Sequence, residues 1–236
     1  MGYEPMNESW QMAGERHETL GQYVAKTYLW MFAGLLVTFG IALAGYVTGA
    51  ILYVFQVPYA TLALTGLELL TVIWLSARIH KLSVGAARGL FLFYAALNGV
   101  VFSMYFLIFG VVEMVFVFAA TALFFGMMAG VSLIFKLDLS GIRPLLVGGL
   151  LFLILFGLLS MFLNLGSFET VLCYAGIVVF LGFTAYDTTK IRDNYQIFYA
   201  DPELLQKASV FSALQLYLDF INLFLYIIRL MNRNRK

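Results

Sequence analysis

Three acidic residues lie inside long apolar runs of the sequence: Glu68, Asp187 and Asp219. An ionisable side chain is expensive in such a run and is therefore a candidate for function. At a helical rise of about 1.5 Å per residue, Asp187 is about 7 Å from Arg192 and Asp219 is about 9 Å from Ala213. The spacing therefore predicts that the two aspartates share one depth, near one end of their helices.

Two carboxyl groups at the same depth suggest proton chemistry. Within hydrogen-bonding distance in a medium of low dielectric constant, they cannot both ionise cheaply, so they share a proton and titrate as a unit. Loss of that proton brings repulsion, and a nearby hard cation is then attracted to the oxygens. If Asp187 and Asp219 meet, they predict a pH-dependent latch on a cation path.

Polar residues recur at steps of three and four along the segment that contains Asp219: Ser212, Gln215, Asp219, Asn222 and Tyr226. This spacing places them on one stripe of a helix. A polar stripe in an apolar helix faces the interior of a bundle or water, so we expect Asp219 to point inward. Two interpretations stay open, an ion path and a hydrogen-bonded seam between helices.

Two further charged residues belong to the second apolar run. Arg78 ends this run, and it is either a partner of the aspartates or an anchor that reaches the membrane surface. Glu68 precedes Arg78 by ten residues and lies about 15 Å deeper. It is either neutral and hydrogen-bonded or part of the wall of a cation path.

The composition identifies the setting of these residues. Of the 236 residues, 62% are apolar and 11% are charged, and the net charge is +1. A soluble domain is about 45–50% apolar and about 25% charged. The small net charge argues against nucleic-acid binding, which needs a concentrated basic surface. We expect an integral membrane protein in a lipid bilayer.

Seven apolar runs are long enough to cross a hydrocarbon core of about 30 Å as helices. Their bounds are about 28–54, 59–78, 84–110, 112–135, 144–165, 169–191 and 211–231. The predicted fold class is all-α, a polytopic membrane protein with seven transmembrane helices. The chain divides into a polar N-terminal arm (1–26), a helical bundle (27–231) and a short basic tail (232–236).

The positive charges predict the orientation. Lys and Arg residues lie in the N-terminal arm and in the second, fourth and sixth links, whereas the first, third and fifth links contain none. This alternation is typical of a cytoplasmic N-terminus. The basic tail disagrees, because seven crossings place it outside. Either packing forces the last span across the membrane, or that span is re-entrant.

No enzyme motif accompanies the aspartates. The sequence has no HExxH, no GxSxG and no Gly-rich phosphate loop. The GxGD surroundings of an intramembrane aspartyl protease are missing from AYDTT and YLDFIN. Its one cysteine, Cys173, allows no intrachain disulfide and no Cys-based metal site. We therefore expect no enzymatic activity and no cofactor.

The segments FTAYDTTKI (183–191) and ALQLYLDFINLFLYIIRL (213–230) resemble the Bax inhibitor-1 family of membrane proteins, and residues 76–106 support the resemblance. The resemblance to bacterial members implies a bacterial inner membrane, seven helices with the last one central, and a pH-sensitive calcium leak. It implies that Asp187 and Asp219 form the pH sensor and a calcium site, that Arg78 locks them, and that calcium is the transported or bound species. Glu68, Gln215, Asn222 and Tyr226 are candidates for lining the path. The cell-death role of eukaryotic members is not carried over.

Two other functions compete with a calcium leak. A non-conducting adaptor would bind other membrane proteins through its helix faces, although the sequence identifies no protein partner. A proton-coupled cation exchanger would use the same two carboxyl groups and move protons against the cation. Calcium flux separates the adaptor from the leak, and proton counterflux separates the exchanger from both.

Overall fold

The structure, a computed structural model, describes residues 18–78, 81–135, 139–163 and 168–233. Most of the predicted N-terminal arm (1–17) and the end of the predicted tail (234–236) lie outside the described residues. The described residues form eight α-helices and one short 3₁₀ turn, with no strand among them, which confirms the all-α class. The helices are α1 (Leu20–Val47), α2 (Ala50–Gln56), α3 (Ala60–Arg78), α4 (Val84–Phe109), α5 (Val111–Phe135), α6 (Arg143–Leu163), α7 (Glu169–Phe198) and α8 (Pro202–Arg233).

The first predicted span, about 28–54, differs from the structure at both ends. Helix α1 begins at Leu20, where Thr19 and Gln22 form a reciprocal capping box that satisfies free N–H groups of the first turn. The helix ends at Val47, and α2 begins only at Ala50. Gly49 separates them with φ +70°, a left-handed conformation that glycine adopts without steric penalty.

Six of the described helices are long and apolar enough to cross a membrane: α1, α4, α5, α6, α7 and α8. The remaining predicted span corresponds to α3, which has 19 residues and is not among the six. The prediction of seven spans is therefore not confirmed. All seven predicted segments nevertheless overlap described helices.

Helix α8 packs against α1, α4, α5 and α7. Its aromatic side chains meet rings from all four of these neighbours, including Phe180 of α7, which lies 5.9 Å from Tyr226 (ring centroids). Phe91 of α4 lies 5.6 Å from Tyr217, Phe118 of α5 lies 5.4 Å from Phe220, and Phe39 of α1 lies 5.5 Å from Phe224 (ring centroids). Buried aromatic pairs of this kind add to the stability that packing provides. They hold α8 at a set rotation, and so position its polar side chains.

Candidate functional site: an aspartate pair between two helices

Asp187 of α7 and Asp219 of α8 are brought together by an antiparallel pair of long helices. Residues 199–201 connect the helices, and the Asp201 carboxylate caps α8 by accepting hydrogen bonds from the backbone N–H groups of Glu203 and Leu204 at 2.9 and 3.0 Å. Both helices extend beyond the predicted spans. Asp187 therefore lies about 17 Å before the end of α7, and Asp219 lies about 26 Å after the start of α8.

A second polar contact sets the register of the two helices. The Asn194 side-chain amide donates to the Ser212 hydroxyl at 3.0 Å. Seven residues before Asn194 is Asp187, and seven residues after Ser212 is Asp219. Seven residues are close to two helical turns, so both contacts lie on the same faces of α7 and α8. The register that pairs Asn194 with Ser212 also pairs the aspartates.

The two carboxyl groups are buried within hydrogen-bonding reach of each other. Asp187 is 7% exposed and Asp219 is 5% exposed, and their side chains are in contact. The Oδ2 atom of Asp219 is buried and accepts no hydrogen bond from any described donor. An ionised carboxylate has no donor, so a hydrogen bond between two carboxyls requires a proton on one of them. The arrangement can therefore hold one proton between two acids.

The cations that act on the pair are not the one that the resemblance implies. Arg143, at the start of α6, and Lys190 of α7 both interact electrostatically with Asp187. Lys190 also forms an ion pair with Asp193 at 2.7 Å. The Arg78 side chain is exposed at the end of α3, and among the described residues it makes no ion pair with either aspartate.

The polar stripe of α8 faces α7. Ser212 and Asp219 contact α7 as described above, and the Tyr226 ring fills the space beside Gly176, where a Cβ atom would lie 2.5 Å from the ring. Asn222 donates from its amide to the Leu218 carbonyl of its own helix at 2.8 Å, and Gln215 is half-buried. The stripe is thus largely a packing seam between the last two helices, with the aspartates in its middle.

Glu68 belongs to α3, which packs against α2 and α4. Its Oε1 atom is buried and has no hydrogen-bond partner among the described residues. It interacts electrostatically with Tyr94 of α4 and Tyr217 of α8. The interpretation of Glu68 as a neutral, hydrogen-bonded residue needs a hydrogen bond, and the contacts among the described residues do not include one.

Two neighbours of the aspartate pair escaped the sequence interpretation. The Tyr28 hydroxyl of α1 is 3.0 Å from the Thr188 hydroxyl of α7, and Tyr28 also interacts electrostatically with Asp219. Thr188 directly follows Asp187 in the motif, but no spacing in the sequence connects it to α1. Within the part of the chain that the structure describes, no group of three His, Cys, Asp or Glu residues converges on a metal-sized site.

The long apolar helices define a helical membrane protein, and α7 and α8 bury a pair of carboxyl groups between them. The family described as inhibitor of apoptosis-promoting Bax1 matches residues 20–236, and the chain belongs to this family. The match confirms the resemblance to the Bax inhibitor-1 family. It covers every described helix, including both helices that hold the aspartates.

Several bacterial proteins are similar to the chain over nearly its whole length. Inner membrane protein YbhL of Escherichia coli (strain K12) is 37% identical over 218 residues, covering 92% of this chain and 93% of YbhL. A protein of Deinococcus radiodurans is 34% identical over 226 residues, covering 94% and 96% of the two chains. An uncharacterized membrane protein of Streptococcus pyogenes is 29% identical over 224 residues, covering 91% and 94%.

Proposed function

We propose that this protein is a pH-sensitive calcium leak of a bacterial inner membrane, latched by Asp187 and Asp219. The contact between the two buried carboxyl groups is the observation that carries the proposal. In the proposed arrangement the chain crosses the bilayer seven times, with α3 as the second span, α8 in the centre and the N-terminus in the cytoplasm. The protein has no enzymatic role.

In the closed state the two carboxyls share one proton and hold α7 against α8. When that proton leaves, two negative charges face each other in a poorly screened site, and their repulsion pushes the helices apart. The same step creates a site that attracts calcium. Calcium flux should therefore be low at acidic pH and rise as the pH passes through the titration of the pair.

The small number of oxygen ligands fits a leak better than a storage site. Calcium takes six to eight oxygen ligands, and two carboxylates supply at most four. No third acid joins the pair among the described residues, and Arg143 and Lys190 compete with the cation for Asp187. Weak, brief binding permits the ion to leave again, which conduction requires. Glu68, Gln215, Asn222 and Tyr226 stay candidates for the path.

The role proposed for the locking cation shifts to Arg143 and Lys190. Both already interact with Asp187, whereas Arg78 is exposed at the end of α3. A lock by Arg78 would need α3 to bring this side chain to the pair in another state of the protein. Neutralising Arg143 should thus alter the pH dependence more than neutralising Arg78.

The test is calcium flux into vesicles that contain the purified protein and a calcium-sensitive dye. Asp187→Asn and Asp219→Asn each remove the charge but keep the size of the side chain, so we expect the dependence of flux on pH to be lost. Asp201→Asn is the matched control. It makes the same chemical change at the exposed residue that caps α8, and asparagine caps a helix about as well as aspartate. The control should retain the pH dependence of the unmodified protein.

Unchanged flux and unchanged pH dependence in both aspartate variants would refute the latch. A properly folded protein that carries no calcium at any pH would contradict the leak and favour the adaptor. Proton movement opposite to calcium, measured with a pH-sensitive dye in the same vesicles, would instead indicate an exchanger.

A further inference from the structure

Helix α1 contacts both helices of the aspartate pair through two consecutive residues. The Thr27 hydroxyl is 3.0 Å from the Ser209 hydroxyl of α8, and the Tyr28 hydroxyl is 3.0 Å from the Thr188 hydroxyl of α7. Consecutive residues of a helix point about 100° apart, so one turn of α1 reaches both neighbours at once. Helix α1 therefore holds α7 and α8 through hydroxyl contacts from the same turn.

The α7 contact lies directly beside the pair. Thr188 follows Asp187, so the residue that binds α1 and the residue that meets α8 share one turn of α7. Thr188 is completely buried, and the interaction between Tyr28 and Asp219 brings the tyrosine close to the other acid as well. The hydrogen bond to α1 therefore acts on the turn of α7 that carries Asp187.

Few other described groups act on the pair. Arg143 approaches from α6 and Lys190 from α7, and both act on Asp187 through charge. Tyr28 is the titratable group that approaches from α1, and it interacts with Asp219. Among these groups, Tyr28 is the one joined to α7 by a direct hydrogen bond beside the acids.

We propose that Tyr28 and Thr188 are positioning residues that hold the Asp187 carboxyl against Asp219 and thereby set the pH at which the pair separates. The consequence for flux rests on the proposed function, but the effect on the carboxyl pair does not. Loss of the hydroxyl contact weakens the closed form in which the proton is shared. The pair then separates at lower pH.

The experiment measures the carboxyl pair directly, by infrared titration of the full-length protein, together with calcium flux in vesicles. The absorption band of the protonated pair is assigned by its loss in Asp187→Asn and Asp219→Asn. In Tyr28→Phe and in Thr188→Val we expect its midpoint to move to lower pH by about half a unit, roughly a threefold change in proton affinity. Because both variants break one contact, the double variant should shift no further than either single variant.

Tyr195→Phe is the matched control. The Tyr195 hydroxyl also joins α7 to the start of α1, by donating to the Glu18 carbonyl at 2.7 Å. It lies seven residues beyond Thr188, about 10 Å farther along the same face of α7. This variant removes a hydroxyl contact between the same two parts of the chain, and the midpoint should stay where it is.

A folded Tyr28→Phe or Thr188→Val protein with an unshifted midpoint would overturn the proposal, and so would an equal shift in Tyr195→Phe. Absence of a protonated carboxyl band from the unmodified protein at every pH would overturn it too. If the unmodified protein shows the band and the expected shifts but carries no calcium, the calcium leak fails and the positioning role stands.

Discussion

Helices α8 and α6 show two ways in which a helix of this protein meets its surroundings. In the most apolar stretch of α8, 61% of the residues are buried in the protein, whereas the corresponding share in α6 is 11%. The more apolar of the two helices is the more exposed one, the reverse of the relation in a soluble protein. For this chain, hydrophobicity therefore indicates contact with lipid, and a polar stripe indicates the interior.

The difference follows from the solvent. Lipid tails are as apolar as leucine, so an apolar side chain gains little by leaving lipid for protein, and packing and hydrogen bonds hold the helices together instead. Helix α8 buries Ser209, Ser212 and Asp219, each beside a polar partner on α1 or α7. The Ser160 hydroxyl of α6 donates to the Gly157 carbonyl of its own helix, and within the described residues it has no partner on another helix.

The largest expected effect comes from deleting packing atoms. Leu216 of α8 is completely buried, and Leu155 of α6 is 64% exposed. Leu216→Ala leaves a cavity and should lower the free energy of unfolding by about 2–5 kcal/mol. Leu155→Ala leaves a space that lipid fills, so its effect should be much smaller. Unfolding in mixed micelles with increasing denaturing detergent measures both values.

If the two leucine variants lost the same free energy of unfolding, α8 and α6 would not differ as an inner and an outer helix. That result would mean that α6 packs against a surface that the isolated chain does not have. A second copy of the chain would be one such surface, and the unfolding midpoint would then depend on protein concentration.

A smaller effect is expected from adding a methyl group. A Cβ atom on Gly99 of α4 would lie 2.8 Å from the Thr38 backbone carbonyl oxygen of α1, which cannot move without shifting the helix. Gly99→Ala should therefore lower the free energy of unfolding by about 1–3 kcal/mol. In α6 no described atom lies within 4 Å of a Cβ atom on Gly157, so Gly157→Ala should be neutral or slightly stabilising. The same detergent titration compares them, and a destabilised Gly157→Ala would contradict the assignment of this face to lipid.

The sequence predicts the six long apolar helices, because they follow from the length of the apolar runs, whereas the seventh span is not confirmed. The two aspartates meet at one level, as the helical rise predicts, but each lies farther from the end of its helix than the predicted spans imply. The steps of three and four from Ser212 to Tyr226 also indicate an inward face of α8. The break at Gly49 was not predicted, because a glycine in an apolar run reads equally well as a small residue at a helix crossing. The helical ends of α7 and α8 were missed because they are polar and were interpreted as a link.

The partners of the aspartates are harder to predict, since they depend on how neighbouring helices are rotated about their axes. Arg78 and Arg143 each stand at the end of an apolar run, and nothing in their spacing shows which one reaches Asp187. The structure distinguishes them, because α6 packs against α7 whereas α3 packs against α4. The contact of Tyr28 is equally hard to predict, since it joins Tyr28 to Thr188, 160 positions away in the chain.

The smallest expected effect concerns one hydrogen bond between helices. The Thr38 hydroxyl of α1 donates to the Ala95 carbonyl at 2.8 Å and lies 2.7 Å from the Tyr217 hydroxyl of α8. Because Thr38 has a single hydroxyl hydrogen, Tyr217 must be the donor in the second bond. Tyr217→Phe removes that donor but leaves Thr38 bonded to Ala95.

The loss in Tyr217→Phe should therefore be modest, about 0.6 kcal/mol, the average for hydrogen bonds between membrane helices. Ser160→Ala removes a hydroxyl that bonds only within α6, so it should change the free energy of unfolding by less. Thr38→Val is the sharper variant, because it removes both bonds, including the one to the α4 backbone, and should exceed Tyr217→Phe. Suppose instead that Ser160→Ala and Tyr217→Phe lower the free energy of unfolding by the same amount. In that case the hydrogen bonds of α8 would stabilise the protein no more than those of α6, and packing alone would account for the difference between the two helices.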